Sequence, residues 1–391
     1  MHPLHELELL LRPAAGGLYA VSTGKAEQLA IQERIYGARG ENEVAQRWKD
    51  ALARIAAARV VLVGIPSDTG ASILRGANQG PQELRARLLD DDPEWFARAT
   101  AKGLVDVGDV FVVPQLLHDE MLSEAQIART RRAIYPGHDR EPLPVSPLSM
   151  AERALALVLQ MNPRAAILAL GGDHSTAWPV VRSLAAARPG LAVVQVDAHT
   201  DLLEERLGVT YCYATWSFHA SRLLGPGRLV QLGVRASRLE RSHWESAYPV
   251  RQLWADEIRR DPARALDETI ATLRASGATS VYFSNDIDGT DAAHADATGT
   301  PEPEGLSPAF VEELVRRLAR ELPLVGGDVM EVAPAIARTP GGASGPSPPP
   351  RATCARRRPR SSARRSDGGR AGRARRAPRT SRGDRRRSPP R

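Results

Sequence analysis

Cysteine is nearly absent: Cys212 and Cys354 are the two in 391 residues. Thiols so few and so far apart make neither a disulfide framework nor a thiolate zinc cluster. Lysine is almost as scarce, three residues against 50 arginines. No apolar run approaches the roughly 20 residues that a membrane-crossing helix needs. The first residues carry Glu6 and Glu8 where a secretory signal would be basic. A cytoplasmic protein without a membrane span is expected. Excess positive charge is confined to one end. From Arg351 to Arg391 there are 17 arginines and two acids, whereas the preceding 350 residues carry 36 basic and 44 acidic groups. The net-acidic body has nothing to draw it to nucleic acid, so such contact is conceivable only through the basic end.

Three segments follow from the pattern. Residues 1–58 lean helical, with Leu4, Leu7, Leu10 and Leu11 at helix spacing and a second stretch, Asn42 to Ala57, that ends in an Ala-rich run, and are read as an N-terminal extension. Residues 59–338 alternate strand-length apolar runs with longer amphipathic stretches. The runs are Val60–Ile65, Ala165–Leu170, Ala192–Val196, Leu229–Leu232, Ser280–Phe283 and Leu324–Val329. Nearly continuous apolar strands are buried on both faces, and the intervals accommodate crossover helices. The expected fold is therefore α/β, a three-layer αβα domain around a mainly parallel sheet. Ser307 and Pro308 read as N-cap and first residue of a helix running to about Glu321. A second helix is expected over Asp256–Ala275, its first turn complicated by Pro262, and a proline-rich surface loop over His118–Leu148 after a short helix. Residues 339–391 lose all periodicity to Gly, Pro, Ser and Arg and cannot pack a core. Two readings stand, a disordered basic tail or the product of a shifted reading frame in a GC-rich gene; neither gives the segment a part in the chemistry.

Three of the runs lead straight into acids and histidines: Gly171-Gly172-Asp173-His174-Ser175, Asp197-Ala198-His199-Thr200-Asp201 and Ser284-Asn285-Asp286-Ile287-Asp288. Ligand crevices of open α/β sheets lie outside the carboxyl ends of strands, so these side chains should converge. Alternation puts Asp197 with His199, and Asp286 with Asp288, on common faces. Any one motif alone is more often an ordinary turn. Three at one rim are not independent turns, because crowded carboxylates repel and stay partly protonated unless cations neutralise them. Two imidazoles and four carboxylates without a thiolate suit Mn²⁺ or a similar octahedral ion, with ligands enough for two.

These motifs resemble the ureohydrolases, the family of arginase, agmatinase, guanidinobutyrase and formimidoylglutamase. The resemblance runs from about Val60 to Pro334. It includes Gly64-Ile65-Pro66-Ser67-Asp68, Arg75-Gly76-Ala77 with Gly80-Pro81, Thr298-Gly299-Thr300-Pro301 with Gly305-Leu306, and Gly327-Asp328-Val329-Met330-Glu331. The third-motif region is closest to the agmatinase branch. The resemblance implies an arginase/deacetylase-type fold and a homotrimer or hexamer. It implies two Mn²⁺ held by His174, Asp197, His199, Asp201, Asp286 and Asp288, with Asp197 and Asp286 bridging. Glu331 would face a substrate guanidinium, and Asp201 would assist proton transfer. The implied reaction releases urea and an amine, agmatine-like before arginine-like. Alternatives are a formimidoylglutamase-type amidine hydrolase and a diverged, non-catalytic metal-binding homologue. One departure stands out: the loop in which relatives carry a proton-shuttling His-Gly pair reads Thr210-Tyr211-Cys212-Tyr213-Ala214-Thr215-Trp216 here. The nearest imidazole, His219, reads as an ordinary structural residue, and Cys212 as a buried hydrophobe or weak proton donor.

Overall fold

The computed structural model describes residues 1–18 and 22–337. The Arg/Pro-rich segment expected over 339–391 lies outside the described residues. Nine strands form one sheet: β1 (Leu11–Arg12), β2 (Val60–Ile65), β3 (Leu104–Val110), β4 (Ala166–Gly171), β5 (Leu191–Val196), β6 (Leu229–Val234), β7 (Val250–Trp254), β8 (Ser280–Asn285) and β9 (Leu324–Val329). Their spatial order is β1-β3-β2-β4-β9-β8-β5-β6-β7. Every pairing is parallel except that of β1 with β3. Helices cover both faces, giving the three-layer α/β architecture that the sequence pattern predicts.

The strands form where β-branched and leucine side chains run together, and β5 and β6 are buried along their whole length. On one face the helices Pro3–Leu10, Gly40–Ala53, Pro147–Met161, Ala177–Ala187 and Trp216–Leu224 share a core with the sheet, through residues such as Leu7, Leu52, Leu155, Val181 and Trp216. On the other face Ala192, Val194 and Val196 of β5 pack with Ile270, Leu273, Phe310, Leu314 and Leu318. The stretch 1–58 belongs to the first core: Leu7, Leu10 and Leu11 are fully buried, and β1 extends the sheet. Helix Pro308–Glu321 begins as expected, with Ser307 Oγ accepting from the Phe310 amide at 3.2 Å. Phe310, Leu314 and Leu318, four residues apart, form its buried stripe.

Two expectations are corrected, and two further strands come to light. Asp256–Ala275 is two helices, Ala255–Arg260 and Pro262–Ala275, because Pro262 cannot continue the first while Asp261 caps the second. His118–Leu148 is no simple loop: it holds helix Glu124–Ile134, started by a Ser123/Gln126 capping box, and its proline-rich end buries Leu143, Val145 and Leu148. β3 and β7 escape the apolar-run criterion because Asp106 and Asp109 interrupt one, Arg251 and Gln252 the other. In β3 the buried Arg85 meets Asp106 at 2.9 and 3.0 Å and Asp109 at 2.5 Å, which makes two acids compatible with an interior strand.

Candidate metal centre

The carboxyl ends of β4, β5 and β8 bring the three motifs to one place. A βα turn after β4 carries His174, which is fully buried. Gly172 is required in that turn, since a Cβ there would meet the Ser67 carbonyl oxygen at 1.9 Å. His174 Nδ1 stands 3.0 Å from Asp286 Oδ2, 3.1 Å from Asp197 Oδ2 and 3.4 Å from Asp201 Oδ2. Beside this group His199 Nδ1 lies 3.1 Å from Asp288 Oδ2 and 3.5 Å from Asp197 Oδ1. Two ligand groups result, His174/Asp197/Asp286 and Asp197/His199/Asp288, with Asp197 common to both. Asp286 belongs to the first alone. Its Oδ1 is taken by the Asp288 amide at 3.0 Å, while its Oδ2 faces His174. Asp201 falls outside both groups but borders the first. Its backbone is left-handed at φ 51°, and Trp216 Nε1 donates to its Oδ2 at 3.1 Å.

The electrostatics are those of a site built for cations. Burial, and then the charge of Asp197, holds the Asp201 carboxyl well above the ordinary carboxylate range; burial with Asp288 and Asp197 does the same to Asp286. Burial works against charge on both imidazoles, but Asp197 and Asp286 around His174, and Asp288 and Asp197 around His199, outweigh it and raise both. Asp197, though buried, is held low by the two histidines. His174 Nδ1 is buried and makes no hydrogen bond of good geometry despite three carboxylates within reach. A nitrogen so placed, among oxygens and without thiolate, fits a hard or borderline divalent ion.

Several supporting residues carry no motif signature. His174 Nε2 lies 3.0 Å from Ser284 Oγ, and Ser284 Oγ is in turn 3.0 Å from both oxygens of Asp328, which also accepts from Tyr282 Oη at 2.8 Å. Thr300 Oγ1 donates to Asp288 Oδ2 at 2.9 Å, and Gln195 Nε2 donates to Asp197 Oδ2 at 2.7 Å. The available signal was a polar residue inside an otherwise apolar run: Gln195 in β5, Ser284 in β8, Asp328 in β9. Such a residue needs a buried partner.

Glu331, just past β9, is hydrogen-bonded to the turn that carries His174. It is buried and left-handed at φ 62°. Its Oε1 accepts from the His174 amide at 2.9 Å, and its own amide donates to the Gly172 carbonyl at 2.8 Å. Burial, with Asp286 and Asp173 nearby, holds its carboxyl well above the usual range. On the helix after the altered loop, His219 Nε2 is 3.0 Å from the Thr210 carbonyl oxygen and its ring contacts those of Trp178 and Tyr211, a structural placement. Cys212 is buried, and burial pushes its thiol up.

A sequence profile of the arginase family matches residues 58–343. The chain belongs to the arginase family. It is thus a hydrolase of guanidino carbon–nitrogen bonds, in a family whose centres are binuclear metal sites. Guanidinobutyrase of Pseudomonas aeruginosa is 30% identical over 72% of this chain and 81% of its own length. Proclavaminate amidinohydrolase of Streptomyces clavuligerus is 32% identical over 70% and 80%. The crystal structure of agmatine ureohydrolase of Thermoplasma volcanium superposes with a TM-score of 0.54 at 26% identity, over 74% of this arginase-family chain and 85% of that one. Among the described residues no helix is long and apolar enough to cross a membrane.

Proposed function

We propose that this arginase-family enzyme hydrolyses the guanidino group of a small agmatine-like compound to urea and an amine, with two Mn²⁺ held by His174, Asp197, His199, Asp201, Asp286 and Asp288. The observation that carries the reading is the pair of ligand groups sharing Asp197. Divalent ions held by these residues would lower the pKa of bound water and so supply a nucleophile near neutral pH.

The chain's own side chains do the rest. A guanidinium is cationic and delocalised, a poor electrophile that must be oriented. Glu331, with one oxygen committed to the His174 amide, presents the other to the guanidinium N–H groups. Asp201 Oδ2, fixed by the Trp216 indole, accepts the proton of the attacking water and passes it to the departing amine nitrogen. Oxygen joins the guanidino carbon, the bond to the amine breaks, and the proton count balances. His219 is tied to the Thr210 carbonyl and Cys212 is buried, so the proton transfer is assigned to Asp201. Agmatinase of Gallus gallus, 32% identical, and the guanidinobutyrase support agmatine and 4-guanidinobutyrate as first substrates.

The test is urea release by Mn²⁺-reconstituted full-length protein supplied with agmatine, arginine, 4-guanidinobutyrate or free guanidine. Urea from agmatine or 4-guanidinobutyrate is expected. No urea from any of them, with two Mn²⁺ bound per chain, overturns the assignment and redirects it to linear amidines.

A further inference from the structure

Three glutamines stand side by side across the last three strands of the sheet: Gln195 of β5 is in register with Gln231 of β6, and Gln231 with Gln252 of the edge strand β7. All three are fully buried. Three amides in an apolar interior are costly unless each is satisfied, and here they satisfy one another in a line. Trp254 Nε1 donates to Gln252 Oε1 at 3.0 Å, Gln252 Nε2 to Gln231 Oε1 at 2.8 Å, Gln231 Nε2 to Gln195 Oε1 at 2.8 Å, and Gln195 Nε2 to Asp197 Oδ2 at 2.7 Å.

The direction of this line follows from its ends. An amide can be turned end for end, but the Trp254 indole only donates, and Asp197 and the Thr200 carbonyl, which takes the second Gln231 proton at 2.6 Å, only accept. Ser217 Oγ also donates to Gln195 Oε1, at 2.7 Å. Every amide dipole therefore points its N–H end toward Asp197, and aligned hydrogen bonds in a low-dielectric interior polarise one another. Asp197 Oδ2 is the oxygen turned toward His174, whereas Oδ1 accepts the His199 amide at 2.7 Å.

We propose that Gln195, Gln231 and Gln252 are positioning residues: a polarised amide chain that runs from the outer strand to Asp197 and fixes Oδ2 as a ligand for the ion of the His174 group. The proposal rests on the dinuclear reading above. It predicts a graded and one-sided effect. Loss of Gln195 weakens that ion's binding about 10–100-fold, the range for a direct outer-shell partner. Loss of Gln231 weakens it less, about tenfold, and loss of Gln252 less again, while the ion of the His199 group is unaffected.

Metal-free full-length protein titrated with Mn²⁺ alone, followed by calorimetry and by the electron paramagnetic resonance of free Mn²⁺, tests this. The variants are Gln195→Met, Gln231→Met and Gln252→Met, which keep side-chain bulk and remove the amide. Thr269→Val, the loss of a buried hydrogen bond on helix Pro262–Ala275, is the control for general destabilisation. Two ions in the wild type, with one weakened in the order Gln195, Gln231, Gln252 and metal-free melting temperatures no lower than that of the control, support the chain. Wild-type isotherms in folded Gln231→Met and Gln252→Met overturn it, as does equal weakening of both ions with a lowered melting temperature. If the wild type binds no Mn²⁺, the dinuclear reading itself fails, a distinct result. Should Gln231→Met not fold, Trp254→Phe and Gln252→Met at the far end carry the same comparison.

Discussion

Replacing Ser284 by alanine tests how His174 is held. The single hydroxyl proton of Ser284 is committed to Asp328, so its oxygen accepts from His174 Nε2–H and makes Nδ1, toward Asp197 and Asp286, the nitrogen that an ion would take. Alanine removes that acceptor and strands a buried N–H, at a cost of about 1–3 kcal/mol. If the metal-bound state bears this cost, affinity falls by about one to two factors of ten, which agrees with the outer-shell range. Asp328 also loses one donor but keeps Tyr282 and the Asn285 amide, so the sheet survives. Mn²⁺ titration of the metal-free variant should show one ion weakened and the other intact, with Ser284→Thr restoring most of the loss. Wild-type affinity for both ions in Ser284→Ala would refute the role assigned to the His174–Ser284–Asp328 line.

Asp288→Asn should reduce the bound Mn²⁺ from two to one and lower urea release by orders of magnitude; near-normal turnover would sink the dinuclear assignment. Arg85→Met should strand Asp106 and Asp109 in the interior and cost about 3–5 kcal/mol, a fall on the order of 10 °C in melting temperature, and an unchanged melting curve would show that the acids are neutral in the fold. Mn²⁺ binding should release protons, because the carboxyls of Asp201 and Asp286 and the imidazoles of His174 and His199 are all raised, and each must give up its proton to serve as a ligand. Affinity should then rise with pH through those raised values and fall on acidification. Calorimetry in two buffers of different ionisation enthalpy measures the release, and identical heats would contradict it.

The layer architecture and the three ligand motifs were legible because both rest on local pattern: apolar runs of strand length, then acid and imidazole at their ends. β3 was not legible, since its two acids become intelligible only beside Arg85, some twenty residues earlier in the chain. Helix Glu124–Ile134 was obscured by the prolines that follow it, although the Ser123–Gln126 cap was there to read. The supporting residues were invisible for a different reason. Ser284, Asp328 and the three glutamines act through partners on neighbouring strands, and strand order is not written in any one segment. That β9 lies between β4 and β8 decides that Asp328 meets Ser284.

This placement of β9 also sets an order of assembly. β9 is the last strand among the described residues, yet it is the one that joins β1-β3-β2-β4 to β8-β5-β6-β7. Until residue 329 has been made, a growing chain holds two half-sheets with no shared hydrogen-bonded edge. Asp197, His199 and Asp288 all belong to the second half and are brought together by the pairing of β8 with β5. The group of His174, Asp197 and Asp286 spans the seam and must wait. The ligands of the His199 group thus lie within one half-sheet, whereas those of the His174 group come together only across the strand that joins the two halves.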